Sequence, residues 1–412
     1  MKSVLTIAAL SFLLACGTDS PDVAREPPAA PPAASTTASP PSPPPCDATS
    51  GSCNDAPALP PVAPSPLHVR SLGVGGFLLE HGTDAVLTAP LFTRPSMIAA
   101  STGIPVSSDR ALVEARLPAA SLANVRAVLS GHAHYDHLLD VPAVMSLATH
   151  ATLYANVSAR NLLAAFAPDR AAKCAGEPPP PSPIARSRVV AVDDPGASTV
   201  DYTNCPENRP AGAPLEGKWV RVPGSHVRVL AVCSDHPPQI GPVHYGDGDV
   251  GEEACTPPTN MNEWKEGHTV AYLVDFLDAK TDAPVYRVFY QDAPADAPVG
   301  HVPPAFLAGK RVDLALMCVG TYDHVDDASP AKALMALLPR YALGGHWEDF
   351  FGALDAPPQP IPFLDVQAWG TKARAALPDA DEPRSMFRNG APIATRAVLP
   401  QPGDTFDVPP QQ

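Results

Sequence analysis

An apolar run, Val125 to Leu129, leads directly into Ser130-Gly131-His132-Ala133-His134-Tyr135-Asp136-His137. A short apolar run closed by a Ser-Gly pair predicts a strand that ends in a sharp loop. That loop carries three histidines and an aspartate within six residues, in a chain with only 13 histidines among 412 residues. Imidazole and carboxylate groups crowded at one strand end share a direction, which is the donor arrangement of a metal site; a polar surface loop has no need of it. After His137, the spacing of Leu138, Leu139, Val141, Val144, Met145 and Leu147 is helical, with Asp140 in its first turn, so a helix is predicted to hold the loop rigid.

Composition divides the chain. Fifteen of the chain's 54 prolines crowd between residues 21 and 66, where runs such as Pro43-Pro44-Pro45 favour extended polyproline structure and offer little to bury. Residues 17–66 therefore predict a disordered, semi-rigid spacer, with Cys46 and Cys53 able to close a local disulfide. Ahead of it, Met1-Lys2 and the apolar run Val4 to Leu14 are too short to span a bilayer and read as a secretory signal. Its end, Leu13-Leu14-Ala15-Cys16-Gly17, resembles a bacterial lipoprotein box, which implies cleavage before Cys16, acylation of that cysteine and anchoring to the outer membrane or cell envelope without spanning it. A formal net charge of −15 supplies no basic footprint and argues against nucleic acid as a partner.

The globular part is predicted to run over residues 67–412. Strand-like runs open it at Leu67 to Leu72, Gly76 to Glu80 and Ala85 to Pro90. A Pro-rich insertion occupies about residues 168–214, and within it Cys174 and Cys205 are expected to pair, leaving Cys233 to pair with Cys255. Trp219 to Val222 and His226 to Val232 predict a hairpin that delivers His236 just past its end. His268 to Phe276 and Val285 to Tyr290 predict neighbouring strands, the second ending at Gln291-Asp292-Ala293. The run Val312 to Val319 suits a doubly buried strand with Cys318 as an inert core thiol, and Tyr341 to Gly345 ends at His346. Helices are expected at Ser329 to Leu338 and Val366 to Leu377, and a closing strand pair between Thr395 and Val408. Phe350 and Phe351 read as core in preference to a substrate platform.

The pattern His-x-His-x-Asp-His resembles the signature of the metallo-β-lactamase-fold hydrolases. The presence of Asp136, Asp292 and His346 resembles, within them, the L-ascorbate-6-phosphate lactonase-like and N-acyl phosphatidylethanolamine phospholipase D-like branch. Periodicity alone supports a mixed α/β chain with many strands; the resemblance implies a four-layer αββα sandwich. It also implies a ligand set: His132, His134 and His236 for one metal, Asp136, His137 and His346 for a second, and Asp292 between them. Two departures stand out, Ala89-Pro90 where an Asp-Pro pair is common and Gln291-Asp292-Ala293 where Gly-Asp-Thr is usual. Such ligands suit zinc, with manganese or iron as alternatives. The implied chemistry is hydrolysis of an ester, lactone or phosphodiester by a metal-bound hydroxide, with Asp136 orienting it and relaying its proton, on a small-molecule or lipid substrate. The alternative is a non-catalytic metal-binding envelope lipoprotein.

Overall fold

Alternation of apolar side chains at period two fixes which way each strand faces. In the computed structural model, which describes residues 65–194, 205, 217–239, 241–295, 297–382 and 384–411, the chain is mixed α/β with two sheets. The first half supplies β1 (Leu67–Gly73), β2 (Gly76–His81), β3 (Asp84–Thr88), β4 (Val125–Leu129), β5 (Thr152–Ala155) and β6 (Val189–Ala191). Between them lie α1 (Met97–Thr102), α2 (Arg110–Arg116), α3 (Ala119–Asn124), α4 (Tyr135–Leu138), α5 (Val141–Leu147) and α6 (Val157–Leu163). The second half supplies β7 (Val220–Arg221), β8 (Val227–Cys233), β9 (Val270–Leu277), β10 (Pro284–Gln291), β11 (Leu314–Cys318) and β12 (Tyr341–Gly345). With these come α7 (Pro304–Leu307), α8 (Ala331–Leu337) and α9 (Val366–Ala376), and the chain closes with β13 (Met386–Arg388), β14 (Ala391–Ile393), β15 (Ala397–Val398) and β16 (Thr405–Val408).

Among the described residues, the first sheet runs β14-β13-β16-β1-β2-β3-β4-β5-β6 and the second β15-β12-β11-β10-β9-β8-β7. Successive residues on a strand point to opposite faces. Thus Ala127 and Leu129 of β4 join one apolar cluster while Val128 joins another. The central cluster takes side chains from both sheets, including Phe77, Val229, Tyr272 and Leu316. A second gathers the opposite face of the first sheet with Val113, Val144, Met145 and Leu162 from the helices. The third does the same for the second sheet, with Leu334 of α8 and Trp369 of α9.

The strands that end at the predicted ligands run in one direction. β10 is parallel to β11, and β11 to β12. β8 and β10 are each antiparallel to β9 and therefore parallel in sense to one another. The C-terminal ends of β8, β10 and β12 consequently share an edge of the second sheet, and the end of β4 meets them from the first. Gly131 is the meeting point: its carbonyl accepts the Val270 amide at 2.7 Å, and a Cβ built there would lie 2.4 Å from the Asp292 Cβ. Only glycine allows that approach.

Three expectations are corrected. Cys174 pairs with Cys255 and Cys205 with Cys233, with Cα separations of 5.1 and 6.0 Å, so the nearest-neighbour pairing Cys174–Cys205 and Cys233–Cys255 is overturned. The loop carrying Cys255 folds back beside Cys174, where Arg170 donates to the Cys255 carbonyl at 3.0 Å. Cys205 and Cys233 meet instead in the cluster between the sheets. Secondly, the segment Thr395 to Val408 is not a strand pair. β15 joins β12 in the second sheet and β16 joins β1 in the first, while β13 and β14 form a hairpin that periodicity over three residues per strand is too short to reveal. Thirdly, Asp140 caps α5 by position without a side-chain cap bond. Its buried carboxylate instead accepts the amides of Phe92 and Thr93 and the hydroxyls of Thr93 and Ser108, tying the loop after β3 to the ligand helix. Cys318 is a buried free thiol. Cys16, Cys46 and Cys53, the signal and the spacer up to residue 64 lie outside the described residues.

Candidate metal centre

Four strand ends bring seven side chains together. His132 and His134 sit in the loop after β4, Asp136 and His137 in the single turn of α4, His236 just past β8, Asp292 just past β10 and His346 just past β12. Their potential ligand atoms fall into three overlapping groups: His132, His134 and His236; His132, His137 and Asp292; and Asp136, His137 and His346, each within 4.8 Å. The grouping places Asp292 on the ground between the two histidine sets. His137 Nδ1 lies 2.8 Å from Asp292 Oδ1, and His346 Nε2 lies 3.1 Å from Asp136 Oδ2.

Neighbouring backbone holds these groups in place. Asp292 accepts the Gly131 amide at 2.6 Å and the Tyr290 phenol, so its two oxygens are each fixed from outside the centre. His236 Nδ1 donates to the Pro237 carbonyl at 2.7 Å, which leaves Nε2 as the free ligand atom. His346 occupies the left-handed region at φ 58°, and its amide donates to the Val74 carbonyl at 2.8 Å. A β-substituted residue held there is strained, and strain retained at a strand end is a mark of a functional position. A Cβ at Gly75 would lie 2.7 Å from Asp292 Oδ1 and 3.2 Å from His137 Nδ1, so bare backbone lines this side of the centre.

The test of whether a cation fits is the state of the buried donors and acceptors. Both ring nitrogens of His132, His134 Nε2, His137 Nδ1 and His346 Nδ1 are buried without a hydrogen-bond partner. Ordinary interiors satisfy such atoms. His137 Nδ1 and Asp292 Oδ1 come close but are not aligned as donor and acceptor, as expected of atoms directed at a shared point. Electrostatics agree with the geometry. Burial and then the surrounding imidazoles push His132 and His236 well below the ordinary histidine range, and burial lowers His134 to about 4, so all three are neutral and have lone pairs to give. Burial opposes charge on Asp136, yet His137 and His346 outweigh it and hold its carboxyl well below the usual range. Burial likewise opposes charge on His137, but Asp292 and Asp136 raise it to about 10. Two carboxylates thus draw positive charge into this half of the centre. Tyr290, pushed well up by burial and by Asp292, stays a protonated donor.

Residues that the sequence does not disclose surround the seven. Tyr290 reads there only as a strand residue. Glu266 is buried, takes the Thr269 hydroxyl at 2.9 Å, and sets Oε2 3.8 Å from His134 Nε2 and 2.5 Å from His244 Nε2. Burial raises Glu266 to about 7, against the pull of His244. Both lie in the loop between β8 and β9, whose Pro, Gly and Asp residues carry no periodic signal; the only hint is a histidine, His244, shortly after His236. Phe350 is half-buried, packs on the helix-side cluster and stands edge-on to the His346 ring at 5.2 Å, so it serves as both core and wall. No helix among the described residues is long and apolar enough to cross a membrane.

No family model and no curated protein matches the chain. Among solved structures it is similar to Igni18, a metallo hydrolase from the hyperthermophilic archaeon Ignicoccus hospitalis, at 12% identity and a TM-score of 0.41, over 82% of this chain and 97% of that one. It is also similar to YhfI of Bacillus subtilis, a metallo-beta-lactamase fold protein, at 10% identity and 0.41, over 83% and 99%. CmlA, a diiron beta-hydroxylase from Streptomyces venezuelae, matches at 11% identity and 0.43, over 84% of this chain and 55% of that one. Proteins described as metallo or metal-dependent hydrolases recur among the matches. Superpositions this loose leave the chemistry to be read from this chain's own side chains.

Proposed function

We propose that this chain is a metal-dependent hydrolase with a dinuclear centre, built on the four-layer αββα sandwich that its signature resembles. Two sheets with a shared apolar cluster between them and helix-backed clusters outside support that arrangement. The observation that carries the function is the convergence of His132, His134, Asp136, His137, His236, Asp292 and His346 at strand ends of the two sheets, with five of their ring nitrogens buried and unsatisfied. A structural zinc needs only four closed ligands. Seven donors in overlapping groups suit two divalent ions, zinc by donor chemistry, with manganese or iron as alternatives.

When bound, such ions lower the pKa of water toward ~7 and offset negative charge on the attacked carbonyl or phosphoryl group. The protein's residues supply the rest. Asp136 is ionised and shared between His137 and His346, placed to orient the attacking water and take its proton. Asp292 compensates both ligand groups, held by Gly131 and Tyr290. Glu266 Oε2 lies 3.8 Å from His134 Nε2, and Phe350 with Tyr135 closes the His346 side against water. An ester, lactone or phosphodiester substrate, small or lipid, fits this chemistry, and the lipobox at Cys16 would present the enzyme at an outer-membrane or envelope surface.

Zinc-loaded protein screened against ester, lactone and phosphodiester substrates is expected to turn over at least one class, and Asp136→Asn to abolish it with the fold intact. Two bound ions without turnover of any class would favour the metal-binding envelope module instead. The anchor is tested separately: Cys16→Ser should move the protein from the membrane to the soluble fraction, and unchanged sedimentation would remove the lipobox from the proposal.

A further inference from the structure

A fourth group of potential ligands lies beside the first metal position: His236, shared with that position, and His244 and Glu266, which neither ion needs, with ligand atoms within 4.8 Å. His244 Nε2 and Glu266 Oε2 stand 2.5 Å apart, yet both are buried without a hydrogen-bond partner, because neither is aligned on the other. The Glu266 residue is 6% exposed, so this pair is removed from water. The His236 and His244 rings lie nearly parallel with centroids 5.4 Å apart. Two imidazoles and a carboxylate form a zinc-type donor set on their own.

Counting lone pairs restricts what this set can do. His236 Nδ1 is committed to the Pro237 carbonyl, so only Nε2 can bind a cation, and it can bind one at a time. His236 therefore serves either the inner group with His132 and His134 or the outer group with His244 and Glu266. The two differ in access: His132 is fully buried and His134 is 8% exposed, whereas His236 and His244 are half-buried at the rim.

We propose that His236, His244 and Glu266 form a rim cation site that captures a divalent ion and passes it, by way of His236, to the inner histidines. The inference rests on the dinuclear reading above. The ion exchanges one ligand set for another, with no redox change, and His244 and Glu266 are left free for the next ion. Charge favours the traffic, since Asp235 adds a second carboxylate to the same rim.

Uptake of cobalt(II) by the chelator-stripped full chain tests this, followed by ligand-field absorption in stopped flow and by ion content at equilibrium. His244→Ala, and His244→Gln as a second variant, should slow uptake at least ~10-fold, the scale of losing a residue that supports a metal site. Equilibrium content and far-ultraviolet spectrum should match wild type. Uptake at the wild-type rate overturns the rim site. An equilibrium content reduced by one ion overturns it too, because His244 would then be a resident ligand. A wild-type chain that binds no cobalt would instead remove the dinuclear reading beneath it.

Discussion

Two regions of the molecule bury ionisable groups, and they do so in opposite ways. On the helix-covered face of the second sheet Arg287 and Asp275 are both out of solvent, and every group is matched. Arg287 Nε and Nη2 donate to the two Asp275 oxygens at 2.7 and 2.8 Å, and Nη1 donates to the carbonyls of Phe306 and Lys310. Arg228 adds a further bond to Asp275 at 2.7 Å, and Asp313 is matched in the same manner by Lys310 and Arg340. At the strand ends, His132 is just as buried and has neither nitrogen bonded. A closed network needs nothing more and is structural; an open one with converging lone pairs is the donor arrangement that the proposed cations would satisfy.

The contrast is sharpened by breaking each region in turn. Arg287→Met leaves Asp275 buried with one partner in place of two, and unfolding in denaturant should show a loss of about 3–5 kcal/mol. The folded fraction should keep its full metal content. Asp292→Ala should do the reverse. It removes the carboxylate shared by both ligand groups, so the second ion is lost first, hydrolysis falls at least ~100-fold, and the far-ultraviolet spectrum stays native. If Arg287→Met lowered metal content per folded chain, the two regions would not be separable.

The smallest effect concerns pH and the metal-free chain. His134 ionises at about 4 when folded and near 6.5 when unfolded, so between these values the unfolded chain binds more protons and stability falls as pH drops from 6.5 to 4. His137 is raised to about 10, so its stabilising charge is fully present below 6.5 and is lost as pH rises through 10. Melting of the metal-free protein should therefore be highest near pH 6.5. A melting temperature that climbed steadily toward pH 4 would contradict the buried, neutral state of His134.

The same contrast explains what the sequence disclosed. The candidate ligands His132 to His137 after β4 are legible because a strand end gives a side chain a known position and direction, whereas Asp292 after β10 and His346 after β12 are singled out by the resemblance. His236 was legible only through its order after that signature. His244 and Glu266 were not, because the loop between β8 and β9 has no period and its position over the centre is decided by tertiary contacts, such as the Ala133 amide bonding to the Glu266 carbonyl at 2.8 Å. Disulfide partners were illegible for a related reason: proximity along the chain favours Cys174 with Cys205, while folding brings Cys255, 81 residues away, beside Cys174. The last strands failed on length, since two to four residues do not establish whether a segment joins one sheet or the other. The resemblance carried the site further than it carried the chain's own additions to it.

The most direct measurement is the zinc content of purified wild-type protein beside Arg287→Met and Asp292→Ala, after stripping and reloading. Two firmly held ions per folded chain are expected in wild type and Arg287→Met, and fewer than two in Asp292→Ala. A wild-type chain that takes up no zinc, or an Asp292→Ala chain that keeps both ions, would contradict the dinuclear centre.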